Sequence, residues 1–128
     1  MTTAPAPGRV LIADDDRVLT HLLSARLRAK GWKVDIALDA MQAVMFAMRA
    51  TPDVITLDIN MPGGTGIEAL RKLKQSARTQ QIPVVVVSGS IEARDEPAVK
   101  ELGAAAFLRK PADVEELHQL LLRLTGPD

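Results

Sequence analysis

The chain of 128 residues has the length of one ordinary domain, and its 47% hydrophobic and 25% charged residues are typical of a folded globular protein. The 16 basic and 16 acidic residues cancel, so no overall charge favours nucleic acid or a membrane surface as a partner. The lack of cysteine excludes disulfides, zinc–thiolate sites and thiol nucleophiles, and with no signal peptide or membrane-length apolar run it favours a cytoplasmic location.

Five short apolar runs alternate with longer segments along the chain. None of the runs alternates polar with apolar residues, which is typical of strands covered on both faces. The predicted strands cover residues 10–13, 34–37, 54–57, 84–87 and 105–108. Residues 1–8, which contain two prolines, are predicted to be a disordered leader, and residues 125–128 a tail.

The segments between the runs carry apolar residues at helical spacing. The stripes are Leu19, Leu22, Leu23 and Leu27; Met41, Val44, Met45 and Met48; Ile67, Leu70 and Leu73; and Val114, Leu117, Leu120, Leu121 and Leu124. We expect the methionine stripe to pack in the core. Pro97 suits only the first turn of a helix, so the fourth helix is predicted to be short, at about 97–102. Strands alternating with helices predict a five-stranded, doubly wound parallel α/β sheet with helices on both faces.

Polar residues with related chemistry follow four of the five predicted strands. Asp14, Asp15 and Asp16 follow the first, Asp58 the third, Ser88 the fourth and Lys110 the fifth. Ligands bind at the carboxyl ends of such strands, so we expect these side chains to meet at one edge of the sheet. Carboxylates suit Mg²⁺, one carboxylate can act as a nucleophile, and a lysine and a hydroxyl can hold phosphoryl oxygens. The set predicts a phosphoryl-transfer site.

Simpler roles fit several of these residues. Asp16 suits the N-cap of the first helix. Gly63, Gly64 and Gly66 are expected to form turns rather than to hold phosphate, and His21 and His118 are expected to be ordinary surface residues of helices.

The motifs taken together resemble the receiver domain of two-component response regulators. The resemblance rests on the acidic cluster, "LDINMPGGTG", "VVVVSG" and "GAAAFLRKP", and covers residues 9–124. It implies a flavodoxin-like fold with strand order 2-1-3-4-5 and a phosphoacceptor signalling domain rather than an enzyme, one that assists its own phosphorylation and dephosphorylation.

The resemblance also implies a role for each site residue. Asp58 matches the phosphoacceptor, and Mg²⁺ would be held by Asp14, Asp15, Asp58 and the backbone carbonyl of Asn60. Ser88, Lys110 and Phe107 match the switch hydroxyl, the phosphate-binding lysine and the aromatic switch residue, and Pro111 matches a cis-proline. The sequence departs from the usual pattern at Thr65 (commonly Asp), Ser88 (commonly Thr) and Phe107 (commonly Tyr).

The resemblance further implies two kinds of partner. The phosphoryl donor would be a histidine kinase or a histidine phosphotransfer protein. A downstream target protein would read the face formed by helix 4, strand 5 and helix 5, and no nucleic acid or membrane is expected to bind. We expect a single-domain response regulator; the alternative is a receiver fragment of a larger regulator or hybrid kinase.

Two other functions are compatible with parts of the sequence. A haloacid-dehalogenase-type phosphatase would use Asp14 as nucleophile and Asp16 as acid/base, but this hypothesis leaves Asp58 unexplained and lacks a later acidic pair for its metal. The second alternative is a non-phosphorylated receiver that serves only as an interaction module, against which the complete set of site residues argues.

Overall fold

The structure, a computed structural model, describes residues 7–61, 66–89 and 96–126. Five strands alternate with five helices in these ranges. They are β1 Arg9–Ala13, α1 Arg17–Ala29, β2 Lys33–Ala37, α2 Ala40–Ala50, β3 Val54–Leu57, α3 Gly66–Gln75, β4 Val84–Ser88, α4 Glu96–Glu101, β5 Ala106–Arg109 and α5 Val114–Thr125. No helix among the described residues is both long and apolar enough to cross a membrane.

The strands form one parallel sheet in the order β2-β1-β3-β4-β5. The predicted fold class and strand order are therefore confirmed. Successive strand residues point to opposite faces, so Leu11 and Ile55 pack under α2, α3 and α4, while Val10 and Val54 pack under α1 and α5. Both faces are apolar because both are covered by helices, which explains the continuous apolar runs in the sequence.

Aspartates begin three of the helices. Asp16 accepts a hydrogen bond from the Leu19 amide at α1, Asp39 from the Gln42 amide at α2, and Asp113 from the Glu115 and Glu116 amides at α5. Each carboxylate satisfies backbone donors that have no partner within the helix. The predicted N-cap role of Asp16 is confirmed.

The buried faces of α1 and α2 differ from the predicted stripes. In α1 the fully buried residues are Thr20, Ser24 and Leu27, whereas Leu22 is 49% exposed. In α2 they are Ala40, Ala43 and Ala47. The prediction that the methionine stripe packs in the core is wrong for its first and third members, since Met41 is 65% and Met45 49% exposed. The small residues of α2 face the sheet and allow the helix to lie close to it. The long side chains of α2 therefore lie to either side of this contact.

The boundaries of the five strands and of α4 lie within one residue of the predicted ones. The carbonyl of Gly8 accepts a hydrogen bond from the Lys33 amide, so the β1–β2 pairing begins within the predicted leader, and Thr125 of the predicted tail is the last residue of α5. The short fourth helix is observed, with Pro97 as its second residue. Residues 1–6, 127 and 128, and the predicted turn residues Gly63 and Gly64, lie outside the described ranges.

Candidate functional site

Sheet pairing places the first two acidic positions side by side. The register pairs Ala13 of β1 with Leu57 of β3, so Asp14 and Asp58 follow on neighbouring strands. The Asp14 amide donates to the Ala37 carbonyl at 3.0 Å and the Asp58 amide to the Ala13 carbonyl at 2.9 Å. These bonds extend the ladder beyond the strand ends and fix both backbones at the carboxyl edge of the sheet.

Three carboxylates and one ammonium meet at this edge. Oxygen atoms of Asp14, Asp15 and Asp58 all lie within 4.8 Å of one another. Asp14 and Asp58 are buried and Asp15 is exposed. The Lys110 Nζ lies 2.6 Å from an Asp14 oxygen and 3.2 Å from an Asp58 oxygen. The ammonium compensates one of the three negative charges, so the cluster keeps an excess of negative charge.

The pKa values of two groups reflect this crowding. Burial raises the pKa of Asp14 above its ordinary 3.8, and the repulsion from Asp58 adds to this, although the hydrogen bond from Lys110 acts in the opposite direction. Burial alone would lower the pKa of Lys110, but its hydrogen bond to Asp14 and the two carboxylate charges outweigh burial and raise that pKa above 10.5. Lys110 is therefore a fixed cation, while burial disfavours the charged form of Asp14.

Backbone donors orient the two buried carboxylates. The Asp16 amide donates to Asp14 Oδ1 at 3.0 Å, and the Asn60 amide donates to Asp58 Oδ1 at 3.1 Å. The Asp58 Oδ2 atom contacts Lys110. Each carboxylate thus has one oxygen held by backbone and the other shared with the ammonium.

The remaining predicted residues lie on β4 and β5. Ser88, the last residue of β4, is fully buried, and its carbonyl accepts a hydrogen bond from the Lys110 amide at 3.2 Å. The Lys110–Pro111 peptide bond is cis. Phe107 lies half-buried on β5 against the core, with the Arg109 guanidinium 5.9 Å from its ring centroid. Lys110 thus contacts the carboxylates directly, and Ser88 is hydrogen-bonded to Lys110 through the backbone. Phe107 lies earlier on β5, farther from the carboxyl edge of the sheet.

The Asp16 side chain, unlike its backbone amide, does not join the cluster. It is exposed and caps the helix, and it is not among the carboxylates that converge. The pair that meets is Asp14 with Asp58, whereas the phosphatase hypothesis requires Asp14 with Asp16.

The donor set fits a hard divalent cation. Mg²⁺ prefers oxygen ligands and is held by a few carboxylates together with water and phosphate oxygens. Two buried carboxylates and one exposed carboxylate within 4.8 Å supply such ligands at a site that one ammonium leaves negatively charged. Asn60 contributes its amide to Asp58, which places its backbone beside the same cluster.

A groove beside the cluster was not predicted. It has a volume of about 430 Å³ and runs between α1 and α5, with apolar walls from Leu19, Leu23 and Val114 and the charged groups Arg26 and Lys110. Sequence reasoning missed it because apolar spacing does not show which part of the α1 stripe stays uncovered. The partial exposure of that stripe is what leaves the groove open.

Comparison with known proteins gives a consistent result. The family model of the response regulator receiver domain matches residues 10–122. The chain is 40% identical over 106 residues to the response regulator PleD of Caulobacter vibrioides, covering 83% of this chain and 23% of PleD. It is 38% identical over 110 residues to the protein PilH of Pseudomonas aeruginosa, covering 86% of this chain and 91% of PilH. It spans about half of the probable transcriptional regulator TcrX of Mycobacterium tuberculosis, at 33% identity over 94% of this chain.

Solved structures share the fold. The chemotaxis response regulator CheY4 of Vibrio cholerae superposes with a TM-score of 0.85 at 28% identity, covering 93% of this chain and 99% of CheY4. The receiver domain of the sensor histidine kinase PA1611 from Pseudomonas aeruginosa, which holds a magnesium ion in its active-site cleft, superposes with a TM-score of 0.86 at 27% identity, covering 95% of this chain and all of that domain.

Proposed function

This chain belongs to the family of response regulator receiver domains of two-component signalling, and we propose that its Asp58 accepts a phosphoryl group from a phosphohistidine in a Mg²⁺-dependent transfer. The observation that carries the proposal is the meeting of Asp14, Asp15, Asp58 and Lys110 at one sheet edge. These are the groups that positioning and charge compensation of a phosphoryl group require.

The transfer exchanges one bond for another. A carboxylate oxygen of Asp58 attacks phosphorus in line with the leaving nitrogen, the P–O bond forms, and the P–N bond breaks with its electron pair returning to the imidazole. The Lys110 ammonium, 3.2 Å from Asp58, is within reach of a phosphoryl oxygen on that residue. The Ser88 hydroxyl is the proposed second donor to the phosphoryl group.

The metal would be held by Asp14, Asp15, Asp58 and the carbonyl of Asn60, with water completing its ligands. When bound, Mg²⁺ would neutralise the carboxylates and the charge that develops on the phosphoryl oxygens. The excess negative charge of the cluster and the magnesium-bound relative support this assignment.

Phosphorylation would be read by another protein. We propose that Ser88 and Phe107 couple the phosphoryl group to the face formed by α4, β5 and α5, because Ser88 ends β4 and Phe107 lies on the neighbouring strand. A histidine kinase or phosphotransfer protein would supply the phosphoryl group. The chain spans a quarter to a half of several curated relatives and nearly all of PilH.

Intact-mass spectrometry with Mg²⁺ and acetyl phosphate, in which acetate is the leaving group, tests the phosphoacceptor. We expect the wild-type chain to gain the mass of one phosphoryl group and the Asp58→Asn variant to gain none. Omitting Mg²⁺ or introducing Asp14→Asn should greatly slow labelling.

Asp16→Asn is the matched control, since asparagine retains the N-cap and Asp16 lies outside the cluster. It should be labelled like the wild type. Labelling that persists in Asp58→Asn but is abolished by Asp14→Asn and Asp16→Asn would overturn the proposal in favour of the phosphatase mechanism.

A further inference from the structure

We propose that Trp32 and His118 form a pH-sensitive latch between the start of β2 and α5, which is closed while His118 is neutral and opens when it is protonated. The indole Nε1 of Trp32 donates to the Nδ1 of His118 at 2.9 Å. The two rings meet edge to face, with centroids 6.2 Å apart and planes at 87°. Trp32 is only 3% exposed, so its N–H depends on the protein for a partner.

The direction of this hydrogen bond makes it sensitive to protons. An indole N–H can only donate, and Nδ1 can accept only while it carries no proton, so the closed latch contains a neutral imidazole protonated at Nε2. Protonation turns both ring nitrogens into donors, and two donors then face each other. A buried N–H without an acceptor is unfavourable, so the Trp32–His118 contact should separate.

Four charged groups lie around the latch, and three of them have partners of their own. They are Lys30 and Lys33 on either side of Trp32, Arg28 at the end of α1, and Glu115 one turn before His118 on α5. Arg28 donates to the Val34 carbonyl, and Lys30 pairs with Glu115. The hydrogen bond from Lys30 lowers the pKa of Glu115 below 4.5, so this ion pair persists while the imidazole titrates. The buried Leu117 and Leu121 side chains keep α5 attached, so the latch opens locally.

The latch lies on the side of the sheet that carries the groove. Trp32 follows α1, and its own amide donates to the Leu27 carbonyl of that helix at 3.1 Å, while His118 is part of α5. These two helices form the walls of the groove that reaches Asp58. Opening the latch would therefore remove one contact between the end of α1 and α5, the two helices that line this groove.

Trp32 gives a direct signal, because the chain contains one tryptophan and no tyrosine. We would follow its fluorescence and its indole ¹⁵N–¹H resonance while the pH is lowered from about 8 to about 5, the range in which imidazole titrates. His118→Asn is the test variant, since its amide oxygen can replace Nδ1 as acceptor and does not titrate. His21→Asn is the control, because His21 is the other histidine and lies exposed on α1.

The wild type and His21→Asn should show one transition within the range in which imidazole titrates, and His118→Asn should show none. Across that transition the folding equilibrium constant of the wild type, from urea unfolding, should fall about tenfold relative to that of His118→Asn. If His118→Asn does not fold, Trp32→Phe followed by circular dichroism should lack the same pH-dependent loss. An indole signal that does not change with pH in the wild type, or that changes equally in His118→Asn, would overturn the latch.

Discussion

Replacing Lys110 by methionine removes the ammonium that lies between the two buried carboxylates. At an effective dielectric constant of about 20, like charges 4.8 Å apart repel by about 3.5 kcal/mol. Breaking a buried ion pair costs about 3–5 kcal/mol. Because the Lys110 side chain is 23% exposed and partly screened, we expect Lys110→Met to lower the free energy of unfolding by about 2–4 kcal/mol at neutral pH without metal.

Two conditions should reduce this loss. Mg²⁺ would supply positive charge to the same carboxylates, so millimolar Mg²⁺ should stabilise Lys110→Met more than it stabilises the wild type. Acid should act in the same direction. Without the ammonium, the pKa of Asp14, already raised by burial, rises further, so the carboxyl takes up a proton as the pH falls and the repulsion disappears.

Urea unfolding followed by Trp32 fluorescence measures these differences. Lys100→Met is the matched control, because the Lys100 side chain is exposed on α4 in an ion pair with Glu96 and should contribute less than about 1 kcal/mol. Equal unfolding midpoints for Lys110→Met and Lys100→Met, with no greater effect of Mg²⁺ on the former, would refute the view that one lysine holds the carboxylates together.

Three further predictions concern the same edge of the sheet and the helix starts, each measured by urea unfolding. Asp14→Asn should be more stable than the wild type at neutral pH without metal, because the raised pKa of Asp14 shows that the folded state disfavours its charge. This gain in stability should vanish as the pH falls and reverse with Mg²⁺. An unchanged stability would contradict the prediction. Gly66→Ala should lower the free energy of unfolding by about 1–3 kcal/mol, since its new methyl group would lie 2.5 Å from the Asp58 carbonyl oxygen. Gly89→Ala should lower it less, because there the methyl group makes an ordinary 3.5 Å contact. Equal losses would contradict the steric argument. Asp113→Ala should lose about 1 kcal/mol, because two backbone donors of α5 lose their acceptor, whereas Asp113→Asn should lose little; a loss as large in Asp113→Asn would show that the charge rather than the cap matters.

The sheet and the meeting of the acidic residues could be predicted because both follow from order along the chain. Continuous apolar runs identify strands covered on two faces, and parallel strands bring their carboxyl ends to one edge. Asp14 and Asp58 needed only to follow directly on two strands that pair. The strand order itself came from the family resemblance, since nothing in the spacing of the strands decides which of them pair.

The orientation of α1 and α2 could not be predicted from apolar spacing. A helix that lies close to a sheet faces it with small residues, and Ala40, Ala43 and Ala47 take that position in α2. Leucine and methionine give the stronger hydrophobic signal, so the predicted stripe pointed to Met41 and Met45, which the structure exposes. The size of the side chains, not their hydrophobicity alone, decided which side of α2 is buried.

Contacts between residues that are distant in the sequence could not be predicted either. His118 was expected to be an ordinary surface residue, and its pairing with Trp32 depends on α5 packing beside the start of β2, 86 positions earlier. The crowding at Gly66 is a second feature that the sequence could not predict. The glycine was expected to permit a turn, but it is the close approach of the Asp58 and Ile59 backbone that requires the absence of a side chain there.

The charges of the site suggest how phosphorylation could reach a distant surface. Before transfer, Lys110 is shared between Asp14 and Asp58, and a phosphoryl group on Asp58 would compete for the same ammonium. The Lys110 backbone is held, because its amide is hydrogen-bonded to the Ser88 carbonyl and the residue directly follows β5. If the ammonium pulls this backbone as it moves towards the phosphoryl oxygens, the ends of both β4 and β5 would move with it. Phe107 lies on β5 and so would share any movement of that strand, which makes β5 the element through which we expect the signal to travel.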